Sequence, residues 1–179
     1  MSLSEVSILI VDDEEVVRKS FTRELQQEHF TVTAVASGSE AINALENAEY
    51  DLVITDLMML DVDGFKVLKI AKKLAPLTSV IILTGYGDTQ SAIDALRLGA
   101  DDFLRKPCEI EELVFRIRSC LVKRNLLLER KKVMQELQES KTFNLATLNA
   151  LSAEITVLDF NGLIAVSYTH LTLPTNREV

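Results

Sequence analysis

Five side chains far apart along the chain have types that could do phosphoryl or metal-ion chemistry: the carboxylates Asp12, Asp13 and Asp56, the Thr84 hydroxyl and the Lys106 ammonium. Each stands at, or just after, the end of a short apolar run. If those runs are strands of one open parallel sheet, their carboxyl ends line a single crevice and bring the five together. Three carboxylates in one pocket repel one another unless a cation neutralises them. An all-oxygen donor set suits Mg²⁺, which takes a few carboxylates and keeps several waters. Such a site fits phosphoryl transfer, where the protein mainly positions groups and offsets charge. A carboxylate can serve as nucleophile and become an aspartyl phosphate. The group it gains carries nearly two negative charges at neutral pH. Lys106 and the metal would offset them, and Thr84 would donate to a third oxygen.

The positioning elements read as alternating strands and helices. Residues 1–107 predict strands at Ser7 to Val11, Thr31 to Ala36, Leu52 to Thr55, Val80 to Thr84 and Phe103 to Leu104. The first, third and fourth are continuous apolar runs, as expected when helices cover both faces of a parallel sheet. Between them apolar residues recur at helical spacing: Val16, Val17, Phe21 and Leu25; Ala41, Ile42 and Leu45; Phe65, Val67, Leu68 and Ala71; Ile93, Ala95, Leu96 and Leu98. These stripes predict packing faces. Ser39 is the expected cap of the second helix and Gly99 the stop of the fourth. The fold class is α/β, a doubly wound parallel sheet with a long C-terminal helical extension.

After Pro107 the pattern changes, because no Gly or Pro occurs between Cys108 and Asn161. A helix is expected from Ile110 to Asn149. Leu127, Met134, Leu137 and Leu148 lie near one stripe, broken by Arg130, Lys141 and Asn144; the expectation is a signalling helix able to pair with a second copy of itself, with a long solvated connector as the alternative. Its basic cluster from Arg116 to Lys132 reads as a solvated face. Ile155 to Ala165 reads as a strand, a turn at Asp159 to Gly162 and a second strand. The tail from Val166 to Val179 begins Val-Ser-Tyr-Thr-His-Leu, a string that a sequencing-library transposon end can encode. The expectation is that residues 166–179 are adapter-derived and that natural sequence stops near Ala165.

Composition narrows the function class. Nearly half of the 179 residues are apolar and about a quarter charged, the balance of a folded globular chain. The formal charge of −8 sits wholly on residues 1–107, with 18 acidic against 10 basic residues, whereas residues 108–179 hold 9 of each. An acidic domain repels nucleic acid and attracts a divalent cation or a basic partner. No apolar stretch is long enough for a membrane span, and a cytoplasmic location is expected. Cys108 and Cys120 are expected in one helix, too far apart for a disulfide, as free thiols. His29 reads as a surface or capping residue at a helix end.

With these residues in place the chain resembles the receiver domain of response regulators. The resemblance rests on Asp12 and Asp13; Asp56 with Leu57, Met59, Asp63 and Gly64; Thr84 with Gly85; and Lys106 with Pro107. It covers about residues 5–122 and implies a flavodoxin-like sheet in the order 2-1-3-4-5. It further implies that Asp56 accepts a phosphoryl group from a phosphohistidine of a histidine kinase or phosphotransfer protein. Asp13 and Asp56 would bind Mg²⁺ directly, Asp12 through water, and the Met58 backbone carbonyl would complete the protein ligands. Thr84 and Phe103 match the pair that reorients on phosphorylation. The module would catalyse its own phosphorylation and dephosphorylation without turning over an external substrate. Met58 and Tyr86 would flank the attacking water and slow phosphate loss. The chain departs from the family at Leu60, where Pro is usual, and at Cys108, where an aromatic is common.

The resulting division is 1–122 receiver, 123–149 helical linker, 150–165 the truncated start of a PAS-like sensor domain, and 166–179 the tail. Competing readings are a receiver-like interaction module that is never phosphorylated, and a phosphatase with Asp56 as nucleophile. The second lacks the further Asp that such enzymes place two residues on, a position held here by Met58.

Overall fold

In a computed structural model, residues 6–85, 89–150, 155–158 and 164–168 are described. The first compact unit, residues 1–131, is built on five strands: β1 Ser7–Val11, β2 Thr31–Val35, β3 Leu52–Asp56, β4 Ser79–Thr84 and β5 Asp102–Arg105. They pair in the order β2-β1-β3-β4-β5, every neighbour parallel. This is the expected doubly wound sheet. Strands β3 and β4 are buried along their whole length, so their side chains alternate between two apolar layers.

One layer joins Ile8, Ile10, Ile54 and Leu83 to Phe21 and Leu25 of α1 (Glu15–Gln27) and to Leu113 and Ile117 of α5 (Ile110–Ala150). The opposite layer joins Leu9, Val53 and Ile82 to Ala41 of α2 (Gly38–Asn47), Val67, Leu68 and Ala71 of α3 (Gly64–Leu74), and Ala95 of α4 (Thr89–Arg97). Burial of roughly 1.5–3 kcal/mol per large aliphatic side chain in these two layers drives the sheet and helices together. It thereby fixes where the strand ends lie.

Several expectations need correction. Val16 is 82% exposed, whereas Val17 beside it packs against the core: the buried stripe of α1 runs through Val17, Phe21 and Leu25 at four-residue spacing, and Val16 lies off it. Ile93, Leu96 and Leu98 are exposed as well; the helix meets the core through the small Ala95. The cap of α2 is Ser37, whose extended backbone lets Oγ accept from the Glu40 N–H at 3.1 Å; Ser39 is already inside the helix. Cys108 precedes α5, so only Cys120 lies in it, and both thiols are free. Gly99, at φ +97°, ends α4 as expected. His29 is exposed at φ +68° after α1, its N–H bonded to the Gln26 carbonyl.

At the amino ends of the strands, Arg124 of α5 pairs with Asp51 at 2.9 Å and donates to the Leu77 carbonyl at 3.0 Å. Lys72 meets Asp101 at 2.6 Å. These contacts tie α5 and α3 to the end of the sheet opposite the carboxylates.

In the second unit, residues 132–179, β6 (Ile155–Leu158) and β7 (Ile164–Tyr168) pair antiparallel. The two predicted strands are therefore present and paired, the second reaching past Ala165 to Tyr168. The turn between the two strands lies outside the described residues.

Candidate functional site

Strand β1 ends at Val11, and the chain turns outward through Asp12 and Asp13 before α1 begins. Asp56 closes β3 opposite Leu83 of β4, so Thr84 is the next residue along the neighbouring strand. Thr84 in turn pairs with Arg105, and its carbonyl accepts the Lys106 N–H at 2.7 Å. Parallel pairing thus delivers all five predicted residues to one end of the sheet.

Lys106 is the centre of the arrangement. Its ammonium lies 2.6 Å from Asp56 Oδ2, 2.7 Å from Asp12 Oδ2 and 3.3 Å from Glu14 Oε1, with the lysine side chain 11% exposed. Burial works against the lysine charge, but hydrogen bonds and attraction from Asp12 and Asp56 outweigh it and hold the ammonium above its usual range. Asp12 is wholly buried. Burial drives its carboxyl up, and the pull of Lys106 only partly offsets that.

The remaining oxygens are held by the backbone. Asp12 Oδ1 accepts from the Glu14 N–H at 2.9 Å, and Asp56 Oδ1 from the Met58 N–H at 3.2 Å. Asp12 Oδ2 is buried and faces the Lys106 ammonium at 2.7 Å. Asp12, Asp13 and Asp56 each place an oxygen within 4.8 Å of the others. Three carboxylates this close carry more negative charge than the one Lys106 ammonium offsets, and an all-oxygen set of this kind fits a hard divalent cation such as Mg²⁺.

The loop from β3 to α3 is shaped by two close approaches. A Cβ on Gly64 would lie 2.3 Å from the Asp56 carbonyl oxygen and 3.0 Å from Leu57 Cα. Asp63 caps α3, accepting the Lys66 N–H at 2.8 Å. Met58 and Leu60 project into solvent. Phe103 is half-buried against the layer that includes Ile82 and Val67. Tyr86, expected to screen the phosphoryl group, lies outside the described residues.

Sequence reasoning missed Glu14, whose carboxylate reaches Lys106, and Asp61, whose two oxygens accept from the Gly38 and Ser39 N–H groups. The acidic pair followed by Glu14 could have flagged the first. Asp61 had no local signal, since its partners lie over twenty residues away.

The family model described as the response regulator receiver domain matches residues 8–118. The chain is 39% identical over 114 residues to the transcriptional regulatory protein YkoG of Bacillus subtilis, covering 64% of this chain and 50% of that protein. It is 37% identical over 150 residues to the response regulator SaeR of Staphylococcus aureus, covering 84% of this chain and 63% of SaeR. A CheY-like receiver domain from Methanospirillum hungatei superposes with a TM-score of 0.65 at 30% identity, over 67% of this chain and 96% of that one. The chain thus spans about half to two-thirds of the length of these two curated relatives and nearly all of the isolated domain.

Proposed function

Because the chain belongs to the response regulator receiver domain family of two-component systems, we propose that Asp56 is its phosphoacceptor and that a histidine kinase or phosphotransfer protein supplies the phosphoryl group. The observation that carries this is the Lys106 ammonium, 2.6 Å from Asp56 and 2.7 Å from Asp12 in a pocket of three adjoining carboxylates. In the transfer, a carboxylate oxygen of Asp56 bonds to phosphorus. The P–N bond of the phosphohistidine breaks, and its electron pair stays on the imidazole nitrogen. The product is an acyl phosphate.

Asp13 and Asp56 would hold Mg²⁺ directly and Asp12 through water, with the Met58 carbonyl as a further ligand. When bound, the ion neutralises charge on the transferring oxygens. Lys106, already paired with Asp56, is placed to follow the charge onto the phosphoryl group. Thr84 is proposed to donate its hydroxyl to a phosphoryl oxygen, and Phe103 to turn inward with it, shifting a two-state equilibrium of the face around α4 and β5. The half-buried setting of the Phe103 ring supports that role.

Beyond residue 122 the proposal is that residues 123–149 form a signalling helix that pairs with a second copy, and residues 150–165 begin a PAS-like domain. The unbroken α5 and the strand β6 that follows it support this, together with the pairing of Leu158 with Ile164, since the other partners on β7 lie beyond Ala165. Residues 166–179 are proposed to be adapter-derived. Among the described residues no helix is long and apolar enough to cross a membrane.

The test is a Mg²⁺ titration together with phosphoryl uptake from acetyl phosphate. Wild type should bind the ion and gain a labile phosphoryl group, Asp13→Asn should lose the ion, and Asp56→Asn should lose the phosphoryl group. Uptake retained in Asp56→Asn would refute the assignment.

A further inference from the structure

The amino end of α2 accounts for its orphan N–H groups in an unusual way. A helix leaves its first N–H groups without internal partners. Here Ser37 Oγ takes the Glu40 N–H, but the two before it, Gly38 and Ser39, donate to Asp61 Oδ1 and Oδ2 at 3.1 and 3.0 Å. Asp61 belongs to the loop that leaves the phosphoacceptor strand, five residues after Asp56. Hydrogen bonds from Ser39, Val62 and Gly38 hold its carboxyl well below the ordinary range, so it is a full anion at the positive end of α2.

A second observation makes the same junction tight. A Cβ on Gly38 would fall 2.3 Å from the Val62 carbonyl oxygen and 2.6 Å from Val62 Cβ. The helix start therefore lies directly on the loop, and glycine is what permits it. The loop also lacks one source of stiffness, for Leu60 is fully solvent-facing and leaves its φ free where a proline would fix it.

We propose that Asp61 is a positioning residue for phosphorylation: by clamping the β3–α3 loop onto the first turn of α2, it sets the backbone of Met58 against Asp56. The link is short. Met58 lies three residues before Asp61, and its N–H already holds Asp56 Oδ1 at 3.2 Å. The clamp and the α3 cap at Asp63 fix the far end of a loop whose near end is the Leu57 N–H bonded to the Leu83 carbonyl at 2.8 Å. Freed at Asp61, the segment from Met58 to Val62 keeps its ends but loses its set path. This role rests on the proposed Mg²⁺-dependent phosphorylation and deepens it.

The test compares wild type, Asp61→Ala, Asp61→Asn, Gly38→Ala and the double variant Asp61→Ala with Leu60→Pro. Three quantities are measured: amide hydrogen exchange at Gly38 and Ser39, thermal unfolding without metal, and Mg²⁺ affinity by calorimetry without phosphodonor. Asp61→Ala should speed exchange at both amides, remain folded, and weaken Mg²⁺ binding about tenfold, the scale of a lost supporting contact behind a metal ligand. Asp61→Asn, which keeps the acceptor for Gly38, should lose less and supplies the reading if the alanine variant does not fold. Gly38→Ala should weaken Mg²⁺ by the same route. Adding Leu60→Pro to Asp61→Ala should restore part of the affinity, which a purely structural cap on α2 would not allow. Faster exchange with unchanged Mg²⁺ affinity, or no rescue by proline, would overturn the positioning role. Absence of Mg²⁺ binding in wild type would instead refute the phosphorylation reading on which it rests.

Discussion

Replacing Gly64 by Ala tests how tightly the fold grips its phosphoacceptor strand. The new methyl would sit 2.3 Å from the Asp56 carbonyl oxygen, where ordinary contact begins at 3.4 Å, so about 1 Å must be found. Both obstructing groups, the Asp56 carbonyl and Leu57 Cα, are backbone, and no rotamer change can make room. Val67, Leu68 and Ala71 anchor the rest of α3 in the core, so the strain falls on its first turn and on the strand end carrying Asp56. Overpacking of this kind costs about 1–3 kcal/mol. A misplacement near 1 Å at a reacting group can lower the rate by roughly a hundredfold. Urea unfolding of Gly64→Ala should show the first, and the initial rate of phosphoryl uptake from acetyl phosphate the second. Stability within about 0.5 kcal/mol of wild type combined with an unchanged uptake rate would refute the close approach.

Burial raises the Asp12 carboxyl above its unfolded value of 3.8. The unfolded chain therefore gives up this proton first, and stability is lost as pH rises from 3.8 toward the folded value. Metal-free Asp12→Asn should accordingly be more stable than wild type at neutral pH and show no such gain below pH 3.8, as read from urea unfolding across pH. Excess Mg²⁺ should stabilise wild type by about 2.7 kcal/mol at a hundredfold over its dissociation constant, and Asp13→Asn by much less, as thermal melts will register. Arg124→Ala breaks the pair with Asp51 and the bond to the Leu77 carbonyl, and should cost about 1–3 kcal/mol while leaving phosphoryl uptake unchanged, since these contacts lie at the far end of the sheet.

Much of the site was legible because strand ends announce themselves. The stretches 8–11 and 80–83 are apolar throughout and stop at the polar Asp12 and Thr84, and parallel pairing then carries Asp12, Asp56, Thr84 and Lys106 to one end of the sheet. Such arrangements need only the order of the elements. What escaped depends on contacts across the fold. Ser37 and Ser39 are equally good caps by residue type, and only the register between the loop and α2 decides that Ser37 caps while the Ser39 N–H turns to Asp61. The apolar spacing of α4 predicted a buried stripe, yet Ala95 is buried in the core while Ile93, Leu96 and Leu98 are exposed, since periodicity does not reveal how closely a helix approaches a sheet. Gly64 could be quoted as part of a motif, but its reason, the carbonyl of Asp56 beneath it, exists only in three dimensions.

The central claim is that Asp56 accepts a phosphoryl group in a pocket assembled from Asp12, Asp13, Thr84 and Lys106. Treating the full chain with acetyl phosphate, in Mg²⁺ and in chelator, then trapping the acyl phosphate with borohydride and mapping the peptide, tests it directly. A phosphoacceptor at Asp56 gives a reduced side chain at position 56, formed with Mg²⁺ and absent with chelator. Modification at another carboxylate, or equal labelling with and without the ion, would contradict it.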